Sequence, residues 1–199
     1  MSQQIVLASG SAARAAMLEG AGVPFRVMKA AVDEDALREA LLAEEVSPRD
    51  LSDALAEMKA IRVSARTPGA LVVGSDQILA LGSEVFTKQP DRDAARAALM
   101  RLRGQRHSLY SAAVICEDGK PVWRHVSEVK MMMRMFSEEY LDDYLDRNWP
   151  GVSGVVGCYH YEGEGVRLFT QVTGDYHCIL GMPLLPLLNY LTTRGVIAG

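Results

Sequence analysis

Four groups of residues in this chain have the types and spacing for chemistry on a phosphorylated molecule. The first is Ser9-Gly10-Ser11 with Arg14, set where the apolar run Ile5-Val6-Leu7 gives way to a helix-forming stretch. Ser11 is a candidate N-cap, and Arg14 falls in the first turn. A helix start with open amides, two hydroxyls and a guanidinium suits a phosphate. The alternative is the ordinary strand, turn and helix that open many α/β domains, with Arg14 in solvent. These residues alone leave both readings open.

The second group is Asp76, which follows the apolar run Ala70-Leu71-Val72-Val73 and a Gly74-Ser75 pair read as a turn. Open α/β sheets put ligand sites at such strand ends. A carboxylate there can take a proton from water or hold a divalent ion; its ordinary alternative is an Asx turn or a helix cap. Asp33 and Glu34 are a third group and could add a second carboxylate, although spacing alone favours a solvated acidic loop. The fourth group, Lys59 and Lys88, could neutralise phosphate charge, but isolated lysines are usually solvated. His107 reads better as a buried structural histidine than as a catalytic one.

Positioning these groups needs a set of elements that the pattern supplies. Strands are predicted at residues 5–7, 23–28 and 70–74, and a long helix at 48–67 with its apolar stripe at Leu51, Leu55, Met58 and Ile61. A hairpin is predicted over 78–86, a helix at 91–102, and strands at 107–116 and 122–136 around the Glu117-Asp118-Gly119-Lys120 turn. Ser137 caps a further helix. A glycine-rich loop follows over 151–165, then strands at 168–172 and 177–180 and a last helix from Met182-Pro183 to before Gly195. This mixed order predicts an α/β fold with a mixed sheet.

The 199 residues suffice for one domain or two tightly joined lobes. With 49% apolar and 23% charged residues, the chain is not of the disordered class. A net charge of −4 argues against a nucleic-acid polymer as partner, though not against one nucleotide held by local cations. Three cysteines, Cys116, Cys158 and Cys178, form no CxxC pair, so neither a disulfide framework nor a zinc site is expected. A reduced, cytoplasmic setting follows as the expectation, with no signal peptide. The stretch from Ile179 to Thr193 is broken by Pro183 and Pro186 and is too short to span a membrane. There is no Walker A motif and no dinucleotide fingerprint.

The motifs, taken in order, run nearly the length of the chain. They are Leu7-Ala8-Ser9-Gly10-Ser11 with Arg14, Val32-Asp33-Glu34, Lys59-Ala60, Gly74-Ser75-Asp76, Lys88, and Gly104-Gln105 with His107. Gly157-Cys158-Tyr159, Glu162-Gly163, Gly174-Asp175-Tyr176 and Gly181-Met182-Pro183-Leu184 complete them. This set resembles the Maf family of nucleoside triphosphate pyrophosphatases, also called septum-formation inhibitor-like proteins. The resemblance implies a single Maf-like domain over residues 1–199, with an elongated, mixed-sheet Maf/ITPase-like α/β fold and a nucleotide cleft between two lobes. It implies hydrolysis of a nucleoside triphosphate between its α- and β-phosphates, and a homodimer.

Carried over by position, Asp76 would accept the proton of the attacking water. Glu34 would support it, and the two would hold Mg²⁺ or Mn²⁺. Arg14, Lys59 and Lys88 would clamp the phosphates, with Ser9 and Ser11 at the turn. A triphosphate brings about four negative charges, so its hydrolysis calls for such cations and metal.

The sequence departs from the family pattern at Ala13, where many members carry arginine, at Gln77, where many carry threonine, and at Glu162, where many carry glutamine. These positions bear on substrate choice. Ser75-Asp76-Gln77 and Glu162-Gly163 resemble the branch acting on 7-methyl-GTP, and a carboxylate suits the donor edge of guanine. Val155 stands where many members carry a lysine, so one more cation is absent. The alternatives are a dTTP/UTP pyrophosphatase and a nucleotide-binding regulator of cell division with little turnover.

Overall fold

The apolar run at Leu71-Val72-Val73 does not end in a turn. In the computed structural model, which describes residues 3–198, it continues through Gly74, Ser75 and Asp76 as one strand to Leu81. Met1, Ser2 and Gly199 lie outside the described residues. In chain order the elements are β1 (Ile5–Leu7), α1 (Ala12–Gly20), β2 (Phe25–Val27), α2 (Glu34–Ala43), α3 (Pro48–Ser64), β3 (Leu71–Leu81) and β4 (Glu84–Phe86). There follow α4 (Arg92–Leu102), β5 (Arg106–Glu117), β6 (Lys120–Met133), α5 (Glu138–Asn148), β7 (Phe169–Thr173), α6 (Tyr176–Ile179) and α7 (Leu184–Thr193).

The strands form one seven-stranded sheet in the order β2-β1-β3-β5-β6-β7, with β4 paired to β3 off that path. β1 runs parallel to β2 and β3, and the remaining pairs are antiparallel. The fold is therefore the mixed α/β sheet that the order of elements predicts.

β3 is the spine, because successive side chains point to opposite faces of a strand. Leu71 and Val73 pack with Met17 and Leu18 of α1 and Leu187 and Leu191 of α7. On the other face Val72 packs with Val6 and with Ala56, Ala60 and Val63 of α3. Further along, Leu79 belongs to a second core with Leu99 of α4 and Leu141 and Leu145 of α5. Between these cores β3 is polar: Ser75 and Gln77 point to one face, Asp76 to the other. The functional stretch thus falls where the apolar packing is interrupted.

Four expectations need correction. Asp76 is at mid-strand, not in a turn beyond a strand end, because β5 pairs with β3 continuously from Val72 to Ala80. Glu34 opens a helix and not a loop: Asp33 Oδ1 accepts from the Ala36 amide at 3.0 Å and caps α2. That helix buries no residue completely; its apolar stripe, Leu37 and Leu41, packs half-buried against the small core of Leu51, Leu55 and Ile78. Residues 177–180 are helical, because Asp175 Oδ1 accepts from the amides of His177 (2.9 Å) and Cys178 (3.2 Å) and starts α6. The long helix α3 ends at Ser64, before the predicted 67. Among the described residues no helix is long and apolar enough to cross a membrane. The three cysteines are buried and free.

Candidate active site

Gly74 sets the spacing on which the site depends. A Cβ at this position would lie 2.1 Å from Ala56 O and 2.7 Å from Ala60 N, both backbone atoms of α3. The bare glycine lets α3 descend onto β3 until Lys59 reaches the strand. Lys59 Nζ then donates to Asp76 Oδ1 at 2.6 Å and stands 2.7 Å from Glu34 Oε2. Lys59 and Asp76 are 6% and 7% exposed, while Glu34 is half-buried at the first position of α2. A carboxylate in that first turn is favoured by the helix dipole. Three residues from α2, α3 and β3 thereby form one charged cluster. Asp76 Oδ2 and Glu34 Oε1 take no hydrogen bond within it.

On the opposite side of β3, Arg14 turns back toward the sheet. Its Nε donates to Gly181 O at 2.8 Å, and one terminal nitrogen donates to Ser9 Oγ at 3.1 Å and Ser75 O at 2.9 Å. Ser75 Oγ donates to the same Gly181 carbonyl at 3.0 Å. Gly181 has φ +105°, a conformation open to glycine, and a Cβ there would crowd Arg14 Nε at 3.4 Å. Burial lowers the pKa of Arg14, and the charges of Asp76 and Glu34 act against that shift. The guanidinium stays charged, and its second terminal nitrogen is left for a ligand.

Ser11 caps α1 by accepting from the Arg14 amide at 3.4 Å, as the motif predicts. The Ser11 amide is not open, however: it donates to Ser9 Oγ at 3.2 Å. The turn is internally braced, and fewer of its donors face outward than the motif alone implies.

Gln77 is tied inward. Its Nε2 lies 2.8 Å from Cys178 O, 3.0 Å from Ile179 O and 3.1 Å from Ser111 Oγ. Ser111 Oγ also donates to Cys178 O at 2.6 Å. Gln77 therefore ties β3 to α6. Lys88 is exposed, two residues beyond Phe86, the residue paired with Leu79; the antiparallel chain there runs back in the direction of Asp76. Ala13 is half-buried on α1. Glu162 is exposed and contacts His160, 3.4 Å away, and no member of the cluster.

The structure thus joins Asp76, Lys59 and Glu34 directly, and Ser9, Ser11 and Arg14 around Ser75 and Gly181. It pairs neither Lys88 nor Glu162 with either set, and Ala13, beside Arg14 on α1, adds no polar group to them. The Gly181 carbonyl and Ser111 went unread in the sequence. The Gly181-Met182-Pro183-Leu184 motif pointed to the right place, but a carbonyl acceptor has no residue-type signature.

Among the described residues no three His, Cys, Asp or Glu side chains gather as a ready-made metal cage. Asp76 and Glu34 still fit a hard divalent ion of the Mg²⁺ kind. Such ions sit on one or two carboxylates and take their other ligands from substrate phosphate and water.

A family model described as Maf-like protein matches residues 4–194 of this chain. The chain belongs to the Maf family. Curated Maf relatives match over nearly their full length. A nucleoside triphosphate pyrophosphatase of Roseobacter denitrificans is 53% identical over 195 residues, 98% of each chain. Proteins of the same name from Ruegeria pomeroyi and Caulobacter vibrioides are 51% and 48% identical, over 99% and 97% of this chain and 99% and 96% of their own. A dITP/XTP pyrophosphatase structure from Mycobacterium abscessus covers 67% of this chain and 76% of its own at TM-score 0.38 and 18% identity, too distant to bear on the site. The site thus sets a buried, lysine-oriented carboxylate and a second carboxylate on one face of β3 and an anchored guanidinium on the other.

Proposed function

We propose that this chain hydrolyses nucleoside triphosphates between the α- and β-phosphates, releasing a nucleoside monophosphate and pyrophosphate. Like its Maf relatives it is an enzyme, a hydrolase acting on phosphoanhydride bonds. The observation that carries the reading is the Asp76–Lys59–Glu34 cluster, held by the packing of α3 on β3, in a chain that matches the family along its length.

In this reading Asp76 takes a proton from the attacking water through Oδ2, the oxygen that Lys59 leaves free. Lys59 holds Asp76 and Glu34 in one orientation, and low exposure keeps bulk water from competing for the carboxylate. Arg14 offers its free terminal nitrogen to a phosphate oxygen, and Ser9 and Ser11 shape the turn. Asp76 and Glu34 would together hold Mg²⁺ or Mn²⁺, which supplies charge neutralisation at the phosphates. Lys88 adds a mobile cation.

The substrate within this class is proposed as a guanine nucleotide of the 7-methyl-GTP kind. Its support is Glu162, exposed and able to accept from a guanine edge; Gln77, which also fits that branch in sequence, is tied to the α6 carbonyls. The unit is proposed as a single domain over residues 1–199, homodimeric and cytoplasmic.

The test is product analysis. Purified protein with Mg²⁺ or Mn²⁺ is given 7-methyl-GTP, GTP, dTTP, UTP, CTP and ATP, and pyrophosphate is measured against orthophosphate. Pyrophosphate should be released, EDTA should abolish it, and Asp76→Asn should lower kcat by about 10²–10⁴-fold, the usual span of a lost general base. Preference for dTTP or UTP would overturn the substrate assignment. Nucleotide binding without turnover in the wild type would replace the enzyme with a nucleotide-binding regulator.

A further inference from the structure

The charged cluster has little positive charge left for a substrate. Lys59 is shared between Asp76 and Glu34, and Arg14, still charged, has three of its donor contacts taken by Gly181, Ser9 and Ser75. Two carboxylates and two cations sum to zero, and the divalent ion that Asp76 and Glu34 would hold adds two positive charges against the roughly four negative charges of a triphosphate. Position 13 is alanine and supplies none.

Lys29 stands beside this gap. The Met28 amide donates to Leu7 O at 3.0 Å, so the chain leaves β2 next to the point where β1 enters the Ser9-Gly10-Ser11 turn. A Cβ on Gly10 would lie 2.8 Å from Lys29 Cε, 3.2 Å from Cδ and 3.5 Å from Cγ. The lysine stem therefore runs across the bare face of Gly10, and its ammonium is one bond further on. Gly10 does not adopt a positive φ, so its backbone does not require glycine there; the close approach of Lys29 is what the missing side chain permits. Lys29 is exposed, and no carboxylate pairs with it among the described residues. A solvated lysine normally samples many rotamers; this one lies on the phosphate turn with its charge uncommitted.

We propose that Lys29 binds the phosphate chain of the substrate, delivering across Gly10 a cation that no carboxylate among the described residues claims. This rests on the reading of the cluster as a nucleoside triphosphate site. Lysine serves here as a point charge, which suits a flexible polyphosphate better than a fixed bidentate geometry.

The experiment measures binding of inorganic tripolyphosphate, in the presence of Mg²⁺, by calorimetry for wild type, Lys29→Met, Lys29→Arg and Gly10→Ala. Lys29→Met should weaken binding about tenfold, and Lys29→Arg should restore most of it. Gly10→Ala should weaken it in the same direction by pushing the stem aside, because the atoms it meets belong to the far end of a flexible side chain. In turnover assays the same loss should appear in KM, with kcat within twofold and the melting temperature unchanged. Binding by Lys29→Met within twofold of wild type overturns the proposal, as does no tripolyphosphate binding by the wild type. Turnover of nucleotides by the wild type is scored separately. An inactive wild type whose binding still depends on Lys29 removes the hydrolase reading and leaves the role of Lys29 standing; an active wild type indifferent to Lys29 does the reverse.

Discussion

Gly74→Ala tests the packing on which the site depends. The added Cβ would sit 2.1 Å from Ala56 O, 2.7 Å from Ala60 N and 2.9 Å from Ala60 Cβ. None of these is the end of a flexible side chain. The helix must retreat as a body, by roughly 1.2 Å, to restore an ordinary carbon–oxygen separation of about 3.3 Å. Overpacking of a core costs about 1–3 kcal/mol, and two rigid backbone partners put this site at the upper end, about 3 kcal/mol. For a chain of this size each kcal/mol lowers Tm by roughly 2–4 °C, so a drop of about 6–12 °C is expected.

The same retreat moves Lys59, one residue before Ala60. Its 2.6 Å contact with Asp76 leaves no slack for a shift of that size. Misplacement of a catalytic group by about 1 Å can cost 10²-fold, so kcat/KM should fall by about that factor even in the fraction that stays folded. Thermal unfolding and pyrophosphate release read the two effects. Gly20→Ala is the control: its Cβ meets nothing within 4 Å, and Tm should hold or rise slightly. A Gly74→Ala protein with Tm within 2 °C and activity within twofold of wild type would refute the account of how α3 is seated.

Two further expectations follow from the polar groups beneath the site. Gln77→Met removes the donor to Ile179 O, while Cys178 O keeps Ser111 Oγ; an unmet acceptor costs about 1–3 kcal/mol, so Tm should fall by several degrees with substrate binding intact. Unchanged Tm with altered nucleotide preference would return Gln77 to a direct role in substrate choice. His107 is 1% exposed, its Nε2 is 3.0 Å from Tyr159 Oη and its Nδ1 has no partner, and burial pushes its pKa down from 6.5 to about 4. Between those values the unfolded chain binds a proton that the folded one refuses, so stability should fall by about 3 kcal/mol as pH drops from 6.5 to 4. His107→Phe should flatten the denaturant-midpoint profile over that window, apart from a smaller contribution from His125, whose burial also lowers its pKa. An identical slope in the variant would assign the effect elsewhere.

The mixed sheet was legible in the sequence because its strands carry continuous or alternating apolar runs and its helices carry side-chain caps. Ser11, Ser137 and Asp91 each accept from the amide three residues on, and such local bonds leave a local signature. α2 and α6 are harder to read, for different reasons. α2 has a short stripe in Leu37 and Leu41, neither fully buried, behind an acidic start that reads as a loop; α6 has only four residues, and its Asp175 cap reads equally well as a turn. Asp76 lies at mid-strand and not at a strand end; its mark in the sequence is a lone carboxylate in an apolar run.

Gly74 shows why the rest stayed hidden. A glycine before a polar pair reads as a turn, whereas here its purpose is the absence of a Cβ beneath α3, a fact that exists only once α3 and β3 are in contact, with Lys59 meeting Asp76 17 positions on. Arg14 extends the point. Its type and position promised a free cation for phosphate, but the carbonyls of Ser75 and Gly181 and the hydroxyl of Ser9 claim most of its donors. Its main physical work is to join the α1 turn to β3 and to the Gly181 loop before α7, so that three distant segments meet as one rigid wall. Bonds to these neutral oxygens leave the charge of Arg14 in place but few of its donors, and one guanidinium is too little for a polyphosphate. The remaining positive charge has to come from side chains free to move, such as Lys29 and Lys88, and these are the residues whose partners a sequence reveals least.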